Sequence, residues 1–210
     1  MNRVVVASGN AGKLAEFNRL LGAAGIEFIA QGELGIEDVE ETGLTFVENA
    51  LLKARHAARV SGLPALADDS GLCVDALGGA PGLYSARYAG EPGNAVRNID
   101  KLLVALDGLP PAQRDAYFHC TLVLLRHADD PRPLIAQGEW HGRILDAPRG
   151  AGGFGYDPLF LDPENNLTAA ELEPEVKNRI SHRGRAAKKM WELMREVLSR
   201  SQRVRERPGG

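Results

Sequence analysis

Asp68 and Asp69 stand side by side where the apolar run Leu63 to Ala67 ends, and Ser70-Gly71 follow them. A carboxylate at the carboxyl end of a buried strand points into the crevice where open α/β sheets bind ligands. Side-chain alternation along a strand sends one of the pair toward that crevice and the other away, to hold the loop or meet a lysine. The same residues would also suit an Asx turn that merely closes a strand. A second acidic couple, Glu40 and Glu41, lies in the acidic stretch 37–43. Alone it would be a solvated surface pair. Placed opposite the aspartates it would complete an all-oxygen site for Mg²⁺, which takes few carboxylates and fills its other positions with water and phosphate oxygens.

Cations that could face a phosphate come from separate segments: Lys13, Lys53, Lys177 and Arg183. A polyphosphate needs such convergence, because each cation offsets only part of its charge. Lys53 would serve equally as an exposed helix lysine. Ser8-Gly9-Asn10-Ala11-Gly12-Lys13 follows the apolar run Val4 to Ala7 and precedes Leu14, Phe17, Leu20 and Leu21 at helical spacing. Backbone N–H groups and one lysine therefore sit at a helix N-terminus, a seat for phosphate. It is not a P-loop, since Leu14 rather than a hydroxyl residue follows Lys13. Phe154-Gly155-Tyr156-Asp157 offers a ring for stacking beside exposed backbone. Ser181-His182-Arg183 opens a helix whose N–H dipoles and guanidinium could address a ligand edge.

These groups must be positioned by alternating strand and helix patterns, which fill the sequence and predict an α/β class. Val4 to Ala7, Glu27 to Ala30 and Leu63 to Ala67 read as strands. Thr45-Phe46-Val47-Glu48 is a capping-box pattern opening a helix on Val47, Ala50, Leu51, Ala54, Ala57 and Ala58, with Asn49, Lys53 and His56 on its neighbouring edge. Asn94 to Leu106 predicts a helix buried through Val96, Ile99, Leu103 and Leu106. Tyr117 to Leu125 and Pro133 to Glu139, with Trp140 to Ile144 beyond, read as antiparallel strands of a second, curved sheet. Gly150 to Pro158 suits a loop closing over a flat ligand, and a last helix runs from about His182 to Leu198 with Ser181 as its cap.

With 210 residues, 44% hydrophobic and 25% charged, the chain suits one soluble domain, with two lobes over 1–199 and a basic, disordered tail over 200–210. No apolar stretch approaches the roughly 18 residues that cross a bilayer, and Met1-Asn2-Arg3 runs straight into a strand. A cytoplasmic protein without membrane association is expected. Cys73 and Cys120 lie in apolar runs and read as buried free thiols. The net charge of −3 argues against nucleic-acid binding, yet Lys177 to Arg207 carries 11 Lys and Arg against 3 Glu. A basic face on an acidic body suits a small polyanion.

Six stretches taken in order carry a family likeness. Ser8-Gly9-Asn10-x-x-Lys13, Glu41-Thr42-Gly43-x-Thr45-Phe46-x-Glu48-Asn49-Ala50 and Ala67-Asp68-Asp69-Ser70-Gly71-Leu72 come first. Leu77-Gly78-Gly79-x-Pro81-Gly82-x-Tyr84-Ser85-Ala86-Arg87-Tyr88, Gly153-Phe154-Gly155-Tyr156-Asp157-Pro158 and Ser181-His182-Arg183 follow. Together they resemble the inosine triphosphate pyrophosphatase family over Asn2 to Leu198. The resemblance implies two α/β lobes around a long central mixed sheet, a homodimer, and hydrolysis of deaminated purine nucleoside triphosphates such as dITP, ITP and XTP to monophosphate and pyrophosphate. It implies that Ser8, Gly9, Asn10, Ala11, Gly12 and Lys13 hold phosphates, that Asp69 is general base and Mg²⁺ ligand, and that Lys53 stabilises phosphate charge. Glu40 or Glu41 would join the metal. Ser70, Phe154, Gly155, Tyr156, Asp157, Lys177, His182 and Arg183 would bind the nucleotide and its base. A septum-inhibitor type of nucleotide pyrophosphatase fits less well, since the Phe154 and Ser181 motifs match the purine branch. A nucleotide-binding regulator without turnover would not need Asp69 beside Lys13 and Lys53.

Overall fold

Three parallel strands at one side of the sheet follow from three apolar, β-branched or alanine-rich runs. The computed structural model describes residues 3–8, 17 and 26–205. Strand β1 (Arg3–Ala7) pairs in parallel with β2 (Glu27–Ala30) and with β3 (Ala65–Val74), in a register that sets Val5 opposite both Ile29 and Ala65. The sheet has seven strands in the order β2-β1-β3-β4-β5-β6-β7, where β4 is Asp115–Leu125, β5 Leu134–Ile144, β6 Phe160–Asp162 and β7 Leu167–Thr168. β6 is antiparallel to both β5 and β7. The sheet is therefore mixed and the class α/β, as expected.

The expected second sheet does not exist: β4 and β5 continue the first. Asp115 meets Arg143, His119 meets Glu139 and Thr121 meets Gln137, so one strand advances as the other retreats and the pair is antiparallel. Turn-like composition between β3 and β4 hid their common sheet from a sequence reading. The segment expected as two strands, Pro133 to Glu139 and Trp140 to Ile144, is one strand.

The chain divides into two units. The first comprises Met1–Asp69, Thr121–Gln137 and Arg185–Gly210, the second Ser70–Cys120 and Gly138–Gly184. In the first, helix α1 (Phe46–Ser61) lays Ala50, Ala54, Ala57 and Ala58 against Val5, Ala7, Ala65, Ala67, Val123 and Leu125. An alanine face lets the helix backbone lie close to the strands, so a lysine on its edge reaches the sheet. In the second, Leu72, Val74, Trp140, Tyr156 and Phe160 share a core with Leu102 and Leu106 from the end of helix α2 (Ala95–Ala105).

Helix α2 starts at Asn94, whose side chain accepts from the Arg97 N–H, and Ile99, Leu103 and Leu106 pack on the core as expected while Val96 does not. Val96 is 67% exposed and Leu102 is fully buried. The phase is set by Asn98, a buried polar residue that an apolar count ignores. Helix α3 (Pro174–Ile180) was not expected, and α4 (His182–Arg205) outlasts its apolar repeat near Leu198. Arg, Gln and Ser are adequate helix formers, so the helix propagates into the segment 200–210 that burial alone would leave as tail. Cys73 and Cys120 are buried free thiols, as expected. Among the described residues no helix is long and apolar enough to cross a membrane.

Candidate active site

Asp68 and Asp69 lie inside β3, not at its end: the strand runs on through Ser70-Gly71 to Val74. Asp and Gly are poor strand residues, which is why the segment reads as a turn. Tertiary contacts override that preference. Both aspartates are buried, at 1% and 7% exposure, and a carboxylate there requires charged or hydrogen-bonding partners. Lys53 of α1 supplies one. Its Nζ stands 2.9 Å from Asp69 Oδ1 and 2.7 Å from Glu41 Oε1. Alternation places Asp68 on the opposite face of β3.

Burial works against the charged form of Lys53, but the charges of Asp69 and Glu41 outweigh it and hold the ammonium above its ordinary pKa. The group is thus one ammonium between two carboxylates. Glu40, in contrast, is exposed. The structure therefore separates the two glutamates that sequence leaves equivalent: Lys53 binds Glu41.

How Glu41 arrives there is legible along one edge of α1. Asn49, Lys53 and His56 follow at helical spacing, and they hold three successive points of the acidic loop in reverse order. Asn49 Oδ1 accepts from the Gly43 N–H at 2.8 Å, Lys53 binds Glu41, and His56 Nε2 lies 3.1 Å from Glu37 O. The loop thus runs antiparallel along the helix edge. Gln31 donates to Asp38 at its far end. Thr45 caps α1 by accepting from the Glu48 N–H, and the Glu48 carboxylate accepts from Leu44 N–H and the Thr45 hydroxyl. Those bonds, the Thr45 hydroxyl first, hold the Glu48 carboxyl below its ordinary pKa. A Cβ on Gly43 would come within 2.6 Å of both Asn49 Oδ1 and Glu48 Cβ, so only glycine allows this approach.

Two carboxylates with one lysine suit a hard divalent cation that binds through oxygen. Among the described residues no group of three or more His, Cys, Asp and Glu could hold a metal ion. Mg²⁺ would need only one or two carboxylates, with its remaining oxygens from water and phosphate. The donor set does not fit a closed all-protein cage.

Ser8 follows the last residue of β1, while Gly9, Asn10, Ala11, Gly12 and Lys13 lie outside the described residues. Ser70 is half-buried in β3.

In the second unit the loop 149–158 is closed by Arg149 N–H to Pro158 O at 2.8 Å. Asp157 Oδ2 accepts from the Phe154 N–H at 2.7 Å and from Lys177 Nζ at 2.6 Å. Gly153 has φ +73°, and a Cβ there would lie 2.0 Å from Asp157 Oδ2. Phe154 is left at the tip, 44% exposed. Lys177 Nζ lies 5.5 Å and Arg183 Cζ 5.8 Å from its ring centroid. Lys177 comes from the unexpected helix α3. Ser181 Oγ accepts from the Gly184 N–H and so opens α4, on whose first turn His182 and Arg183 are buried. The His182 ring stacks on Phe118 at 4.8 Å and 15°. Tyr156, two residues after Phe154, turns inward. Its ring is 4% exposed in the apolar core and its hydroxyl donates to Ser85 O at 2.9 Å.

Sequence reasoning missed the roles of Ser85 and Asn98. Asn98 Nδ2 donates to Ala86 O at 3.0 Å while its Oδ1 accepts from Ala89 N–H at 2.7 Å. The available signal was an asparagine on the inner side of a helix, which must find partners when buried.

Fold and side-chain groups define an α/β protein with an acid–lysine group suited to phosphate chemistry and an aromatic–cation group suited to a flat ligand. The model of the Ham1 family matches residues 4–193, and the chain belongs to that family. It is 63% identical over 183 residues to a dITP/XTP pyrophosphatase of Xanthomonas campestris, covering 87% of this chain and 92% of the relative. A dITP/XTP pyrophosphatase of Shigella flexneri is 58% identical over 195 residues, covering 93% and 99%. Among solved structures, a HAM1 protein from Coxiella burnetii superposes with a TM-score of 0.87 at 51% identity, covering 93% of this chain and all of that one.

Proposed function

We propose that this chain hydrolyses deaminated purine nucleoside triphosphates, dITP, ITP and XTP, at the α-phosphorus to monophosphate and pyrophosphate, clearing them from the nucleotide pool. The observation that carries the chemistry is the Lys53 ammonium held between Asp69 and Glu41. Family membership and the dITP/XTP pyrophosphatases at 57–63% identity support the substrate class.

Asp69 is the general base. A water proton passes to its carboxylate, the water oxygen bonds to the α-phosphorus, and the bond to the bridging oxygen breaks as pyrophosphate leaves. Lys53 meets Asp69 and offers its ammonium to phosphate oxygens. Asp69 and Glu41 would hold Mg²⁺, which would supply positive charge to polarise phosphoryl oxygens and offset the charge of the leaving group. Ser8 and the segment Gly9 to Lys13 take the phosphates, and Ser70 the nucleotide beside them.

Phe154 stacks on the base, with Lys177, Asp157, His182, Arg183 and the backbone at Gly155 around it. Hypoxanthine and xanthine carry an acceptor oxygen at C6, where adenine presents a donor amine. Donors at Arg183 and the loop backbone therefore favour the former, and a site built for one hydrogen-bonding group rejects an analogue lacking it by about 10⁴ or more. The resemblance further supports a homodimer working in the cytoplasm on free nucleotides. A pyrophosphate-release assay with Mg²⁺ tests the reading: dITP yields monophosphate and pyrophosphate in equal amounts while dATP is turned over very poorly. Orthophosphate and nucleoside diphosphate as first products would overturn it.

A further inference from the structure

Ser85 is bonded at both its oxygens. Its Oγ accepts from the Leu72 N–H of β3 at 2.9 Å and donates to Gly82 O at 2.6 Å. Its carbonyl accepts from the Tyr156 hydroxyl at 2.9 Å and from Asn98 Nδ2 at 3.3 Å. The contact with β3 is so close that a Cβ on Gly71 would lie 2.2 Å from Gly82 O and 2.8 Å from Ser85 Oγ. One residue thus joins the strand just beyond Ser70 to the loop that presents Phe154.

From that loop only the ring of Tyr156 is sunk into the core, between a tip residue that is 44% exposed and the buried Asp157. Burial pushes the phenol above its ordinary pKa, so at neutral pH it is a proton donor to Ser85 O. Gly155, at φ +59°, gives the backbone no side chain of its own to fix the turn. The phenol thus adds to the Asp157 carboxylate, which accepts from the Phe154 N–H, a second tie that sets where Phe154 stands.

We infer that Tyr156 is a positioning residue for base recognition: its hydroxyl, through Ser85, ties the Phe154 loop to β3 and so fixes the stacking platform without itself touching substrate. This rests on the proposed binding of hypoxanthine nucleotides. Tyr156→Phe keeps the ring and removes only the hydroxyl, and Ser85→Ala removes the Oγ bonds to Leu72 and Gly82.

The test is calorimetric titration of wild type and both variants with IMP and, separately, with pyrophosphate, each with Mg²⁺. Tyr156→Phe weakens IMP binding by about 3- to 10-fold, the range of one neutral hydrogen bond, and leaves pyrophosphate binding unchanged. A general loss of structure would weaken both ligands alike and overturn the inference. Should Tyr156→Phe not fold, Ser85→Ala carries the test with the same expected IMP-selective loss. Wild type that binds IMP, with a variant that binds it equally well, overturns the positioning role alone. Wild type that binds no IMP overturns the functional reading and this role with it.

Discussion

Lys53 Nζ and Asp69 Oδ1, from a helix edge and a strand interior, meet at 2.9 Å with their side chains only 15% and 10% exposed. A pair so far out of water is strongly coupled: removing Lys53 takes away the ammonium that both Asp69 and Glu41 meet, while removing Asp69 leaves Lys53 with Glu41 alone, and either change is more damaging than loss of a surface pair. Catalytic and structural effects at these two positions must therefore be measured side by side.

Asp69→Asn removes the base and one negative charge at nearly constant size. Turnover of dITP falls by at least about 10²- to 10⁴-fold, the range for loss of general-base catalysis. Asp68→Asn, on the opposite face of β3, is the control in steady-state assays, and its kcat stays well above that of Asp69→Asn. Equal losses would mean that alternation does not separate their roles.

Gly43→Ala forces the acidic loop off the edge of α1, because its Cβ would lie 2.6 Å from Asn49 Oδ1. Displacing Glu41 by about 1 Å lowers kcat/KM for dITP by up to about 10²-fold, while circular dichroism shows the helices intact. Unchanged kinetics would show that Glu41 has no part in the reaction.

Arg183→Ala lowers kcat/KM for dITP by about 10- to 100-fold and for dATP far less, so the ratio between the substrates narrows. Parallel kinetics on both substrates read this. A constant ratio would assign Arg183 to phosphate or folding and base choice to the Phe154 loop.

Asp130, in the turn between β4 and β5, is held well below the ordinary carboxylate range by the Arg126 guanidinium first, and then by the Arg132 and Arg126 N–H groups. A depressed pKa gives stability that is present above the unfolded value near pH 4 and lost as pH falls toward the folded value. Asp130→Asn costs about 1 to 2 kcal/mol at pH 7, a modest figure because the Arg126 side chain is 40% exposed. In melting curves its Tm lies about 3 to 6 °C below wild type at pH 7, and the gap closes as pH drops below about 4. A gap independent of pH would contradict the assignment.

The α/β class, the Thr45 cap and the alanine face of α1 were legible because each depends on local pattern. The Lys53 edge was legible too, since Asn49, Lys53 and His56 follow from helical spacing. What each of them holds was not, because Glu41 is chosen over Glu40 by the path of a loop without periodicity. Asp68 to Gly71 read as the end of a strand or an Asx turn, since local preference favours a break there, and the Lys53 ammonium that meets Asp69 inside the strand comes from 16 residues away. The family resemblance places Tyr156 among the binding residues, and no local rule shows that its ring is buried in the core. Its partner Ser85 is 71 residues distant in sequence, a contact no local rule contains.

Hydrolysis of dITP in ¹⁸O-labelled water tests most directly whether Asp69 and Lys53 act at the α-phosphorus. Attack there places the label in dIMP and leaves pyrophosphate unlabelled, as read by mass spectrometry. Label in pyrophosphate, or in orthophosphate released with dIDP, would contradict the account.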